Sequence, residues 1–218
     1  MRITAVSGWA LPCTWFAEQI IARFKDSQVK VIYPKKPFDP EEAQTLLEEA
    51  PADLYLGYSL GSLWLLNYRD FIPRAALKGV LAPFLAFSRE QAMGGKTRIT
   101  QLKYLTRILK RNPENSSPLI DFYANCSFPY PKSFLRDLPN HSALIEGLKF
   151  LQSASVSSKA VKNFKAIVGE KDIFLDAEKL KKHIPQLQIV KEAGHAPGPL
   201  LDRLVKLLAT GNQKLEPL

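Results

Sequence analysis

A chain of 218 residues, 46% apolar and 23% charged, has the make-up of a globular protein with one full core, which excludes collagen-like, low-complexity and disordered chains. No window approaches 18 uninterrupted apolar residues, so no membrane span is expected, and MRITAVSGWALPCTWF, with one basic residue and Gly-Trp and Pro interruptions, reads as a first strand rather than a signal peptide. Thirty Lys+Arg against 21 Asp+Glu give a net charge of +9, which favours an acidic partner without choosing its kind.

Ile3–Val6 is an apolar run without alternation, as in a strand covered on both faces, and Ser7-Gly8-Trp9 follows it at once. Thr14–Phe24 places Phe16, Ile20, Ile21 and Phe24 on one helical side, and Val29–Tyr33 is the next strand. Asp39, then Pro40 and two glutamates, are the residues that open a helix, here over Glu41–Glu49. Asp53–Gly57 reads as a strand, Leu60–Tyr68 as a helix and Leu77–Ala82 as a further strand.

The alternation then stops. Residues 88–158 form far too long a stretch for an αβ connection and are predicted as a helical cap with no strand of its own, inserted within a single domain spanning 1–218. In Lys96–Arg111, Leu102, Leu105, Ile108 and Leu109 fall on one helical face, with Lys96, Lys103, Arg107 and Lys110 opposite. Strand Phe164–Val168, a helix Ala177–His183 capped by Asp176, strand Gln188–Val190 and a helix Pro199–Leu208 complete the chain. Repeated strand–helix–strand units imply right-handed crossovers, and hence an α/β class with a mostly parallel, doubly wound sheet. Cys13 and Cys126 lack CxxC or Cys/His ligand spacing, so free thiols, no metal and a reducing, cytoplasmic setting are expected.

Within LYLGYSLGSLWL, Gly57-Tyr58-Ser59-Leu60-Gly61 joins a strand to a helix through G-x-S-x-G. The glycines allow a tight turn that lifts the Ser59 hydroxyl off the core. Serine at neutral pH is a weak nucleophile, so it needs a base, and the base needs an orienting acid. Of three histidines, His183 ends a Lys-rich helix and His141 sits at a helix start within the cap. His195, between the last strand and last helix, belongs to the sheet's carboxyl edge, where Ser59 also lies and where ligands bind in open α/β sheets. Asp172 follows its strand through Gly169-Glu170-Lys171 and reaches the same edge, whereas Asp176 suits a helix cap. Trp9 and Leu60 are the residues whose backbone N–H groups could form an oxyanion hole.

On Gly8-Trp9 after the first strand, LEEAPADLYLGYSLGSL, VGEKDIF, KEAGHAP and the inserted cap, the chain resembles the α/β-hydrolases, and among them the pimeloyl-acyl carrier protein methyl ester carboxylesterases of biotin synthesis. The resemblance implies Ser59 as nucleophile, His195 as base, Asp172 as orienter, Trp9 and Leu60 as oxyanion donors, and no cofactor. It also implies that the basic cap residues Lys96, Lys103, Arg107 and Lys110 hold an acidic acyl carrier protein. Ser7 stands where a histidine is usual, Ser62 where a second glycine often follows the elbow, and the leading antiparallel strands are missing. The expected activity is hydrolysis of a short ester, a methyl ester, of an acyl chain through an acyl-enzyme, by a monomer that binds neither nucleic acid nor membrane. A cofactorless lyase of the menaquinone-pathway type and a non-catalytic binding protein are the alternatives.

Overall fold

The computed structural model describes residues 1–113, 117–126, 128 and 137–212. In chain order, β1 (Arg2–Val6), α1 (Cys13–Ile21), β2 (Gln28–Ile32), α2 (Pro40–Glu48), β3 (Leu54–Tyr58), α3 (Leu60–Asn67) and β4 (Leu77–Leu81) alternate as the sequence predicts. Then come β5 (Ala86–Ser88), β6 (Gly94–Thr97), α4 (Ile99–Arg111), α5 (Ser117–Asn125) and α6 (His141–Ser153), followed by β7 (Lys165–Gly169), α7 (Ala177–His183), β8 (Gln188–Val190) and α8 (Pro197–Asn212).

Six strands form one sheet in the order β2-β1-β3-β4-β7-β8, every pairing parallel. The chain leaves β1 toward β2 on one side and returns to add β3 on the other, so β1 and β3 flank a topological switch point. The loops after these two strands begin at Ser7 and Ser59. That order alone therefore sets the Gly8-Trp9 turn beside the elbow.

The central strands are buried on both faces, which explains their lack of alternation: β3 is buried throughout, and β1 from Ile3 to Val6. On one face α8 lays Leu200, Leu201 and Leu204 against β4 and β7, all three fully buried. Asp39 caps α2, its Oδ1 accepting from Glu41 N and Glu42 N at 3.0 and 3.3 Å. Helix α1 ends at Ile21, earlier than predicted, and Ile21 is 49% exposed rather than on the inner face, because it stands about 100° around the helix from the buried Ile20.

The segment 88–158 departs from expectation. Its described residues hold α4, α5 and α6, but they also hold β6, which pairs parallel with β5. Residues 114–116, 127 and 129–136 of that segment lie outside the described residues. The strand escapes sequence reading because Gly94-Gly95-Lys96-Thr97 has almost no β propensity. Its glycines answer to close approach instead: a Cβ on Gly95 would fall 1.7 Å from Phe87 O. Asn140, with Oδ1 accepting from Ala143 N at 2.9 Å, caps α6, whose first residue is His141, at a helix start as predicted. No helix among the described residues is long and apolar enough to cross a membrane.

Candidate active site

Ser59 occupies the junction of β3 and α3 with φ 53° and ψ −116°, a region that a residue with a Cβ rarely enters and that costs about 1–3 kcal/mol. The surroundings hold it there. Ser59 N donates to Leu81 O at 2.9 Å, tying the elbow to β4, and a Cβ on Gly61 would lie 2.2 Å from Val6 O, so only glycine lets α3 start directly against the end of β1. Ser62, where a further glycine is usual, uses its hydroxyl on the same Leu81 carbonyl at 2.7 Å. The departure adds a second tie between the elbow and β4.

His195 Nε2 lies 3.1 Å from Ser59 Oγ, and His195 Nδ1 lies 2.7 Å from Asp172 Oδ2. Asp172 and His195 are buried at 1% and 3% exposure, so the hydrogen bond between them lies out of reach of bulk water. A carboxylate can only accept, which places the proton on Nδ1 and leaves the Nε2 lone pair facing the serine hydroxyl. The other Asp172 oxygen accepts from Phe174 N at 2.9 Å and Leu175 N at 3.2 Å. The loops after β7 and β8 are knit together by Glu170 N to Val190 O and Lys171 N to Ala193 O, at 3.0 and 2.8 Å. The three residues picked from sequence thus converge, although they are far apart in the chain. Asp176 caps α7 through Lys179 N at 3.1 Å, and that bond, with the Lys179 charge, holds its carboxyl below the usual range. His183 ends α7 and His141 opens α6, neither in the relay.

Leu60 is the first residue of α3, so its N–H has no partner inside the helix. Around the β1 turn, Ser7 N donates to Ile32 O and Leu11 N to Gly8 O, and among the described residues neither Trp9 N nor Leu60 N donates to a backbone carbonyl. The Trp9 indole serves a separate purpose, donating to Leu144 O of α6 at 2.9 Å and pinning the cap.

Above these groups lies a cavity of about 110 Å³. Trp9, Ser59, Phe87, Phe174 and His195 line it together with Leu102 and Leu105 of α4, Phe122 of α5, Leu148 and Leu151 of α6, and Thr97 and Gln101. A larger cavity of about 730 Å³ at the amino ends of β4 and β7, lined by Arg69, Arg74, Lys78 and Lys159, lies away from the relay. Its Lys78 already donates to three backbone carbonyls, of Pro73, Arg74 and Ala76.

Sequence reasoning missed three contributors. Tyr58, inside G-x-S-x-G, donates its hydroxyl to His195 O at 2.8 Å, and burial, then Cys126 and Asp172, push its phenol well up. The Phe174 ring stands edge-on to the imidazole at 5.0 Å between centroids. Nothing in the motif demands an aromatic at either place. Lys96 was expected on the basic helical face with Lys103, Arg107 and Lys110. Those three are exposed on α4, but Lys96 precedes the helix, in β6, and its Nζ donates to Asp172 O at 2.6 Å. Both thiols are free; burial pushes Cys13 up to about 11, and burial followed by the Asp172 charge pushes Cys126 further, so both shifts disfavour the thiolate. Among the described residues no group of three His, Cys, Asp or Glu side chains is placed to hold a metal.

No protein-family model matches the sequence, and no curated protein gives a significant match. Solved structures do. The N-acyl homoserine lactonase AidH, complexed with N-butanoyl homoserine, is similar over 100% of this chain and 91% of its own, with a TM-score of 0.66 at 13% identity. A thermophilic esterase from Thermogutta terrifontis matches over 100% and 91%, with a TM-score of 0.64 at 14% identity. The bottromycin epimerase BotH, in complex with bottromycin A2, matches over 96% and 90%, with a TM-score of 0.68 at 10% identity.

Proposed function

From an α/β-hydrolase fold, which the parallel sheet with flanking helices and these likenesses establish, we propose that the protein is a serine ester hydrolase acting on a short ester of an acyl chain through an acyl-enzyme. One observation carries the reading: the continuous Ser59–His195–Asp172 hydrogen-bond chain opens onto a cavity lined mostly by apolar side chains. Two of the neighbours are named for ester or lactone chemistry, which is compatible. The third is an epimerase, so the fold leaves the reaction open, and the relay is what supports ester hydrolysis.

In this reading Ser59 Oγ attacks the ester carbonyl as its proton passes to His195 Nε2. The resulting oxyanion sits against the N–H groups of Trp9 and Leu60, and collapse expels the alcohol, which takes the proton back from His195. Water then repeats the cycle on the acyl-serine. The small cavity under α4 and α6 favours a compact group beside the scissile bond, such as a small leaving alcohol. The test is turnover of p-nitrophenyl acetate and butyrate well above the uncatalysed rate, together with fluorophosphonate labelling of Ser59. Absence of both turnover and labelling would reject the reading.

The finer part of the proposal is that the ester is the methyl ester of a carrier-bound acyl chain, such as pimeloyl carrier protein methyl ester, handled in the cytoplasm. Its support is the outward face of α4, where Lys103, Arg107 and Lys110 are exposed while Leu102 and Leu109 on the other side are buried. An acidic carrier would be drawn to that stripe by long-range attraction. Reversing Lys103 and Arg107 to Glu is expected to raise KM for the carrier-bound ester severalfold and flatten its salt dependence, with p-nitrophenyl butyrate hydrolysis unchanged. Equal loss on both substrates would mean a damaged cap, and no loss on either would remove the carrier from the proposal.

A further inference from the structure

The turn that carries Asp172 belongs to no strand of the main sheet. It is held from outside by β6. Asp176 N donates to Gly94 O at 2.9 Å, Gly95 bridges Leu175, and Lys96 N donates to Phe174 O at 2.8 Å. Lys96 then contributes a second donor, its Nζ, to Asp172 O at 2.6 Å. One residue thereby grips both carbonyls on either side of Ile173, whose own side chain is 47% exposed and gives the turn little anchorage. Both gripped residues shape the imidazole's surroundings: Asp172 through its carboxylate and Phe174 through its ring.

We propose that Lys96 is a positioning residue of the relay, its ammonium fixing the Asp172 peptide so that the carboxylate meets His195 Nδ1. The physical case is geometric. Asp172 Oδ1 is committed to Phe174 N and Leu175 N, so the direction of Oδ2 follows the orientation of the peptides from 172 to 174, and only the Lys96 ammonium holds the first of these from the carbonyl side among the described residues. A bond from a charged donor is about twice as strong as a neutral one, and it adds to the backbone ties that β6 makes to this turn the one bond that reaches the Asp172 carbonyl. Lys96 touches neither the cavity nor Ser59, so it acts through Asp172. It also makes the cap and the relay one mechanical unit, since β6 leads directly into α4, which roofs the cavity.

Lys96→Met retains the aliphatic stem and the backbone bond to Phe174 O and removes only the ammonium. In the full-length protein it should lower kcat for p-nitrophenyl butyrate about tenfold, a fraction of an ångström of misplacement, with KM within about twofold of wild type. Lys96→Arg, which restores a charged donor, should recover most of the rate. Fluorophosphonate titration counts competent sites and so separates a slower site from fewer folded molecules. The inference rests on the hydrolase reading for its kinetics, but the downfield proton resonance of His195 Nδ1–H does not: it should shift or broaden in Lys96→Met even if no ester is turned over. A wild-type kcat with an unmoved resonance would overturn the role. So would a loss confined to the number of titratable sites, because Lys96 would then only stabilise the fold.

Discussion

Ser59→Ala is expected to lose ester turnover almost completely, by about 10⁶-fold in kcat, because the nucleophile is gone while binding and the oxyanion donors remain. The residual rate over water, about 10³–10⁴-fold, would come from those donors acting on a bound ester attacked by water. Fluorophosphonate labelling should vanish. The fold should survive: Ser59 Oγ bonds only to His195 Nε2 among the described residues, and the elbow is held by Ser59 N on Leu81 O and by the Gly61–Val6 approach, none of which needs the hydroxyl. The melting temperature should therefore move by no more than a few degrees, the shift of about 1 kcal/mol in a chain of this size. A variant that is folded and keeps wild-type esterase activity would place the nucleophile elsewhere.

Asp172→Asn should be nearly as damaging, about 10⁴-fold in kcat with KM little changed. The amide oxygen will stay on Phe174 N and Leu175 N, since both are donors, and this directs the amide NH₂ at His195 Nδ1. A donor facing Nδ1 requires a lone pair there, so the imidazole proton moves to Nε2, the atom that must take the proton from Ser59. The wrong tautomer disables the base without moving it. Asp176→Asn is the control. It touches a helix cap on α7, so it should cost no more than about 1 kcal/mol of stability and leave kcat within about twofold. Reversal of these two outcomes in steady-state assays would show that the acid had been misassigned.

The alternating strands and helices were legible because buried parallel strands and amphipathic helices leave different apolar patterns, and because Asp39-Pro40 and Asp176 announce helix starts by their own chemistry. The elbow was legible because so tight a turn tolerates little besides glycine. Chain order then singled out Asp172 and His195 among several acids and histidines, since loops after parallel strands must share one edge. Less local features left no such trace. The β6 strand forms only because Gly95 passes against Phe87, and a run of Gly-Gly-Lys-Thr announces nothing of the kind. Lys96 looked like one more member of a basic helical stripe because helical spacing is a sound guide only where a helix exists, and α4 begins three residues later, at Ile99.

By itself, the sequence determined the α/β class, the strand order's common edge and the identity of a serine, a histidine and an acid able to meet there, because each of these follows from short-range pattern or from chain connectivity. Tertiary structure alone decided how closely they meet: the 3.1 and 2.7 Å links of the relay, the Tyr58 hydroxyl on His195 O, the apolar roof supplied by α4, α5 and α6, and the Lys96 grip on the acid turn. Such contacts join residues as far as 137 positions apart, for Tyr58 and His195, and their partners are selected by packing, which no local preference encodes.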